Sequence, residues 1–215
     1  MPSAELRAIS VDAFGTLVTL SSPTERLREA LARHGVARDH DAVGEAFLAE
    51  ARYYRPRSLQ GTDGASLHAL RVACVGVFLE HLAAPVAPDD FVDDFIGALD
   101  FGLTDGAEDA LDQLAAAGLA LVCTANWDVG LHGILDRLGV SSRFAAIVTS
   151  ADAGVEKPDP AIFHLALSHV DVEPAHALHI GDEEVDRLGA AAAGLAFAEV
   201  PLATLPARLG LGGAR

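Results

Sequence analysis

Leu6-Arg-Ala-Ile-Ser-Val-Asp-Ala-Phe-Gly-Thr-Leu-Val18 carries the strongest structural signal in the chain. An apolar run (Ala8, Ile9, Val11) ends abruptly in Asp12, with Gly15, Thr16 and Leu17 just beyond. A buried strand carries a carboxylate only at high cost, so the acid belongs where the strand leaves the core. In open α/β sheets that end of a strand is where ligands bind. Gly15 allows backbone amides to approach whatever Asp12 faces. Taken alone, the same residues also fit an Asx turn opened by Asp12.

Downstream of this strand the chain changes character twice. Ser21-Ser-Pro-Thr24 reads as a helix start, and Leu27, Ala30 and Leu31 form an apolar stripe that stops at Gly35. A second helix is predicted from about Ala42 to Tyr54, broken by Pro56 and the Ser58–Gly64 stretch. Leu67, Leu70, Val75, Phe78, Leu79 and Leu82 recur at helical spacing, and Asp89-Asp90 open a further helix reaching about Leu99. Residues 21–99 therefore read as all-helical. From Phe101 onward helices and strands alternate. Helices are predicted at 106–117, 129–138, 160–169 and 185–193, and strands at 119–124, 145–148, 177–180 and 195–200. Together with residues 6–11 this gives an α/β, Rossmann-like parallel sheet of about five strands, its helices on both faces. Residues 1–20 and 100–215 form that core, and 21–99 an inserted helical cap.

Composition narrows the class. In 215 residues, 51% hydrophobic, the chain has ample material for a core. With 31 acidic against 15 basic residues the formal charge is −16, which disfavours nucleic acid and anionic membrane as partners. Cys74 and Cys123 make no disulfide framework or metal spacing. No leader-like pattern marks residues 1–7, and no apolar run reaches the ~18 residues of a membrane span. The expectation is a cytoplasmic protein, monomer or homodimer, acting on a small molecule.

Four features fall at carboxyl ends of the parallel strands or just beyond: Asp12, the Thr124-Ala125-Asn126 turn, Lys157 and Gly181-Asp182. Parallel topology gathers such ends on one edge. A carboxylate nucleophile, a lysine and a second carboxylate suit displacement at a phosphoryl group. Asp12 would attack and form an aspartyl intermediate, and Lys157 would neutralise the transferred oxygens. Asp12 and Asp182 would hold a hard cation, Mg²⁺, through oxygen. Plainer readings exist for each: Lys157 as a solvated loop lysine, Asp182 as a helix N-cap, His179 as a hydrogen-bonded core histidine. Trp127 either covers the pocket or packs under the cap. The cluster Tyr53, Tyr54, Arg55 and Arg57 reads as a solvated helix end or, if it faces the site, an anion-recognition patch.

Asp12-Ala-Phe-Gly-Thr-Leu17 resembles the first motif of the haloacid dehalogenase-like hydrolases. Val155-Glu-Lys-Pro-Asp-Pro-Ala-Ile-Phe163 is similar to their lysine motif, and His179-Ile-Gly-Asp-Glu-Glu-Val-Asp186 to their Gly-Asp-x-x-x-Asp metal motif. Asn126-Trp-Asp, Gly133-Ile-Leu and Thr149-Ser fit the subfamily with a helical cap after the first motif. The resemblance implies catalytic roles for Asp12 and Lys157, and phosphate binding by residues 124–126 with Lys157. It implies metal binding by Asp12, the Phe14 carbonyl, Asp182 and Asp186, with Asp186 a ligand or beside one. The cap is matched only in size, position and helical character.

Two positions depart from the pattern. Phosphatases of this superfamily usually carry a second aspartate two residues after the nucleophile, as general acid–base; here that residue is Phe14. Their second motif ends in Ser or Thr, where this chain has Ala125, with Thr124 one residue early. Adjacent strand side chains face opposite ways, so Thr124 reaches a phosphate only through a local bulge. Three functions follow: a Mg²⁺-dependent phosphatase without an acid at Phe14, a 2-haloacid dehalogenase, or a degenerate binding protein. The dehalogenases also lack the second aspartate, but have a Ser-Asn-rich segment where this chain has Gly181-Asp-Glu-Glu-Val-Asp186.

Overall fold

A computed structural model of the protein describes residues 5–211. The leader reading of residues 1–7 lies largely outside them. Strand β1 (Ala8–Val11) is buried at all four positions, and β2 (Val18–Leu20) follows after a tight turn. Four helices come next: α1 (Pro23–Arg33), α2 (His40–Tyr54), α3 (Gly64–His81) and α4 (Pro88–Ala98). A 3-10 turn over Arg55–Gln60 follows α2 where Pro56 was expected to break it. Strand β3 (Phe101–Leu103) pairs with β2. Then come α5 (Ala107–Ala116), β4 (Ala120–Ala125), α6 (Gly130–Arg137), β5 (Ala146–Thr149), α7 (Ser150–Ala153) and α8 (Pro160–Ser168). The chain finishes with β6 (Ala177–Ile180), α9 (Glu184–Ala193), β7 (Ala196–Ala198) and α10 (Leu205–Arg208).

The chain divides into two compact units, one built up to Thr19 and from Leu103 onward, the other Leu20–Gly102. In the first, five parallel strands run in the order β5-β4-β1-β6-β7. β1 is central, with Ile9 level with Leu121 on one side and Leu178 on the other. A strand bonded on both edges and covered on both faces reads as an unbroken apolar run, which is why residues 8–11 show no alternation. Ile162, Phe163, Ala166, Ala190 and Ala193 of α8 and α9 pack with Ala8, Val122 and Val148 of the sheet. β1 lies at the reversal of strand order, where a crevice opens at the carboxyl ends of β1 and its neighbours.

The second unit is helical as expected. Leu27, Leu31, Val75, Phe78, Phe91 and Phe95 form its core, with the Phe78 and Phe95 rings edge to face at 5.0 Å. α3 starts at Asp63, whose carboxylate accepts the Ser66 N–H at 2.8 Å. Arg57 folds back over the Tyr53 ring, its guanidinium carbon 3.9 Å from the ring centre, and donates to the Tyr53 carbonyl. Half of the aromatic-basic cluster is thus satisfied within its own helix end.

Four elements are not marked in the sequence pattern: β2, β3, α7 and the four-residue α10. β2 and β3 are three residues each, too short for periodicity to register. α7 is four residues long and is set by a local cap, the Thr149 hydroxyl accepting the Asp152 N–H at 3.1 Å.

Candidate active site

Asp12 follows directly on β1, its N–H donating to the Ile180 carbonyl on β6 at 2.9 Å. Its residue is 6% exposed. β6 delivers Gly181-Asp182 to the same edge, and the Thr16 hydroxyl donates to Asp182 Oδ1 at 3.4 Å. Gly15 has φ +89°, and a Cβ there would overlap the Asp182 carboxylate. The glycine is therefore required both by its backbone conformation and by the closeness of the acid. Glu183, not Asp182, holds the N-cap position of α9. This removes the plainer reading of Asp182 and leaves its carboxylate facing the turn after β1.

Lys157 is the only lysine in the chain, beside fourteen arginines, and it is 3% exposed. Its Nζ donates to Asp12 Oδ1 at 2.5 Å, to Asp186 Oδ1 at 2.5 Å and to the Thr124 carbonyl at 3.1 Å. Three ammonium protons thus meet three oxygens. A planar guanidinium fork does not fit that three-cornered cradle, which gives a physical reason for lysine where the chain otherwise uses arginine. Asn126 holds the Lys157 backbone at both ends: Nδ2 donates to the Lys157 carbonyl at 3.0 Å, and the Lys157 N–H donates to Oδ1 at 2.7 Å. The reading of Lys157 as a solvated loop residue is overturned by this burial.

Asp186, on the first turn of α9, is 1% exposed. Its Oδ1 also accepts from His179 Nε2 at 3.1 Å, and its Oδ2 from the Glu183 N–H at 3.0 Å. A Cβ on Gly181 would lie 2.5 Å from the Asp186 Cγ, so the close fit extends to the backbone behind it.

Asp12, Asp182 and Asp186 each offer an oxygen, all within 4.8 Å of one another. Three carboxylates then face one ammonium, an excess of two negative charges. Burial first, and the neighbouring charges after it, set how these acids hold their protons. Burial pushes Asp12 up to about 7, with Lys157 pulling against it and Asp186 and Asp182 adding to it. Asp182 is raised by burial and then by Asp186. Asp186 goes the other way: burial opposes ionisation, but the His179 hydrogen bond and the Lys157 ammonium together hold it well below the usual carboxylate range. Burial drives the His179 imidazole down to about 4, so it is neutral at physiological pH. An all-oxygen site with two uncompensated negative charges fits a hard divalent cation of the Mg²⁺ type.

The side chains of Thr124 and Asn126 are engaged within the protein. The Thr124 hydroxyl is fully buried and hydrogen-bonded to the Ser10 hydroxyl at 3.0 Å, away from the strand-end crevice. β4 keeps regular register with β5 through Ala125, with no bulge to turn Thr124 outward. Thr124 contributes its carbonyl, to Lys157, and Ala125 contributes no side-chain donor. The Asn126 amide is engaged with the Lys157 backbone rather than standing ready for an anion. Phe14 is 43% exposed although Asp12, two residues before it, is buried, because strand alternation ends at Val11. The Phe14 ring lies edge-on to Trp127, centroids 6.2 Å apart at 62°. Trp127 is itself fixed through its backbone, its N–H donating to Ser150 Oγ and its carbonyl accepting from it, both at 3.0 Å.

Ser10, Ser150 and the contact of His179 with Asp186 were not foreseen. A serine in an otherwise apolar central strand, level with His179, is the signal that was available for the first of these.

The sequence pattern of the haloacid dehalogenase-like hydrolases matches residues 6–194. Among curated relatives, the mouse haloacid dehalogenase-like hydrolase domain-containing protein 3 is 34% identical over 204 residues, spanning 89% of this chain and 80% of its own. A phosphoglycolate phosphatase of Rhodospirillum rubrum is 33% identical over 197 residues, covering 88% of this chain and 77% of that one. Among solved structures, the L-2-haloacid dehalogenase of Xanthobacter autotrophicus superposes with a TM-score of 0.68 at 21% identity, over 97% of this chain and all of that one, a likeness of fold. Strand order, the buried lysine among carboxylates and the matched sequence agree, and the chain belongs to the haloacid dehalogenase-like hydrolases.

Proposed function

We propose that the protein is a Mg²⁺-dependent phosphatase of a small phosphorylated metabolite, working through an aspartyl-phosphate on Asp12. The observation that carries this reading is the seating of the single lysine between Asp12 and Asp186, with Asp182 beside them. Asp12 and Asp182, with the Phe14 carbonyl, would hold the cation, and Asp186 would stand behind as the support of Lys157. The bound cation would offset the surplus carboxylate charge and polarise the phosphoryl oxygens.

The residues would act in a simple order. An Asp12 oxygen attacks phosphorus, and the bond from phosphorus to the leaving oxygen breaks. Lys157, kept cationic against burial by Asp12 and Asp186, balances charge on the transferred oxygens. Water then hydrolyses the acyl phosphate and regenerates the Asp12 carboxylate. Phosphatases among the relatives support the reaction class.

Phe14 shapes the substrate range. It cannot protonate a leaving oxygen, so esters with good leaving groups, aryl and acyl phosphates, are the favoured class. The same residue favours a second reading, 2-haloacid dehalogenase, since halide departs without a proton. A panel of phosphate esters and 2-haloacids, each with Mg²⁺ and with EDTA, separates the two. Phosphate release that stops in EDTA supports the phosphatase; halide release unaffected by EDTA replaces it with the dehalogenase. Neither product would favour a binding protein.

A further inference from the structure

We propose that His179 is a positioning residue for the site: anchored by Ser10, it orients Asp186, and through Asp186 it seats Lys157 against Asp12. The importance of that seat rests on the phosphatase reading, whereas the coupling itself does not.

The contacts form an unbroken buried chain. The Ser10 hydroxyl lies 2.9 Å from His179 Nδ1 and 3.0 Å from the Thr124 hydroxyl. His179 Nε2 is 3.1 Å from Asp186 Oδ1, the same oxygen that accepts from Lys157 Nζ. Lys157 in turn donates to Asp12. Because an ionised carboxylate only accepts, Nε2 carries the proton of that bond. Ser10, Thr124 and Asp186 are 1%, 0% and 1% exposed, and His179 is fully buried.

His179 is costly to place where it is. Its ring is edge-on to Phe163 at 4.9 Å and tilted against Phe197 at 6.3 Å, within a core where an apolar side chain would pack without polar atoms to satisfy. What a histidine adds there is a rigid two-ended link. Asp186 needs one. Its Oδ2 is held by a single backbone N–H, and Oδ1 is shared with a flexible lysine. Without the His179 bond, Asp186 could turn about its side chain and draw Lys157 with it. Outer contacts that orient a catalytic group are commonly worth roughly 10- to 100-fold in activity.

The unique lysine makes the test direct. In protein labelled with [¹⁵N]lysine, one side-chain ammonium signal reports Lys157 alone. Two amide variants divide the histidine's contacts. His179→Gln keeps an N–H near the Nε2 position, while His179→Asn keeps polar atoms near Nδ1 only, and both lose the aromatic ring. The expected result is a Lys157 signal retained in wild type and His179→Gln but shifted or lost in His179→Asn. With p-nitrophenyl phosphate, kcat of His179→Asn should fall at least roughly 10-fold below that of His179→Gln, with KM little changed. Equal Lys157 signals and equal kcat in the two variants would overturn the proposal. If neither variant folds by circular dichroism, Ser10→Ala decides: the proposal requires a changed Lys157 signal, and an unchanged one overturns it. Should the wild type release no phosphate from any ester, the phosphatase reading fails while the Lys157 comparison still decides the coupling.

Discussion

Glu50 offers a quantitative test of the helical unit. It lies on α2, 8% exposed, where burial pushes its carboxyl from an ordinary 4.5 to about 7 despite a hydrogen bond with Cys74. Below pH 4.5 both folded and unfolded chains hold this proton, and the residue has no effect on the pH dependence of stability. Between 4.5 and 7 the unfolded chain releases the proton and the folded chain keeps it, so stability falls as pH rises. Above about 7 both forms are ionised and the full penalty is present. At about 1.4 kcal/mol for each tenfold change in proton affinity, that penalty is about 3 kcal/mol. Glu50→Gln carries no titrating proton. Its stability relative to wild type should therefore rise by about 3 kcal/mol between pH 4 and pH 8. Urea unfolding followed by circular dichroism at several pH values reads the difference. Parallel stability curves for the two proteins would mean that Glu50 is ionised in the folded state at little cost.

Other expectations concern the site. Gly15→Ala places a methyl group on the Asp182 carboxylate at a backbone angle disfavoured for alanine. It should raise the Mg²⁺ concentration needed for half-maximal activity at least tenfold, read by Mg²⁺ titration, whereas an unchanged requirement would remove Asp182 from the cation site. Lys157→Met leaves Asp12 and Asp186 without their buried counter-charge. It should cost about 3–5 kcal/mol by urea unfolding in EDTA as well as abolish turnover. Phe14→Asp should raise kcat/KM for glycerol phosphate by the roughly 10²–10⁴-fold typical of a general acid and alter that for p-nitrophenyl phosphate little. Equal wild-type efficiency on both esters would show that another group supplies the proton.

Much of the architecture was legible because strong periodicity and abrupt breaks mark it. Ala8–Val11 and Ala120–Ala125 are unbroken apolar runs because both strands are covered on two faces, and Gly118 and Gly194 mark helix ends. Asp12 and Asp182 stand out as acids just past strand ends, Lys157 and Asp186 as charged residues close to helix starts, and all four come together. Side-chain direction at the ends was harder to foresee. Thr124 kept its strand orientation and bonded to Ser10, whereas Phe14, past the end of β1, followed the turn to Trp127. Asn126 could not be read as a clamp on Lys157, because those residues are thirty-one apart in sequence. The His179–Asp186 bond is equally invisible without knowing which face of α9 meets β6.

Covalent chemistry at Asp12 leaves a chemical trace that can be trapped. Incubation with [³²P]acetyl phosphate and Mg²⁺, followed by acid quench and peptide mapping, should place label on the peptide containing Asp12, released by hydroxylamine and absent in Asp12→Asn. Mg²⁺-dependent phosphate release that persists in Asp12→Asn, with no label on that peptide in wild type, would remove Asp12 as the nucleophile.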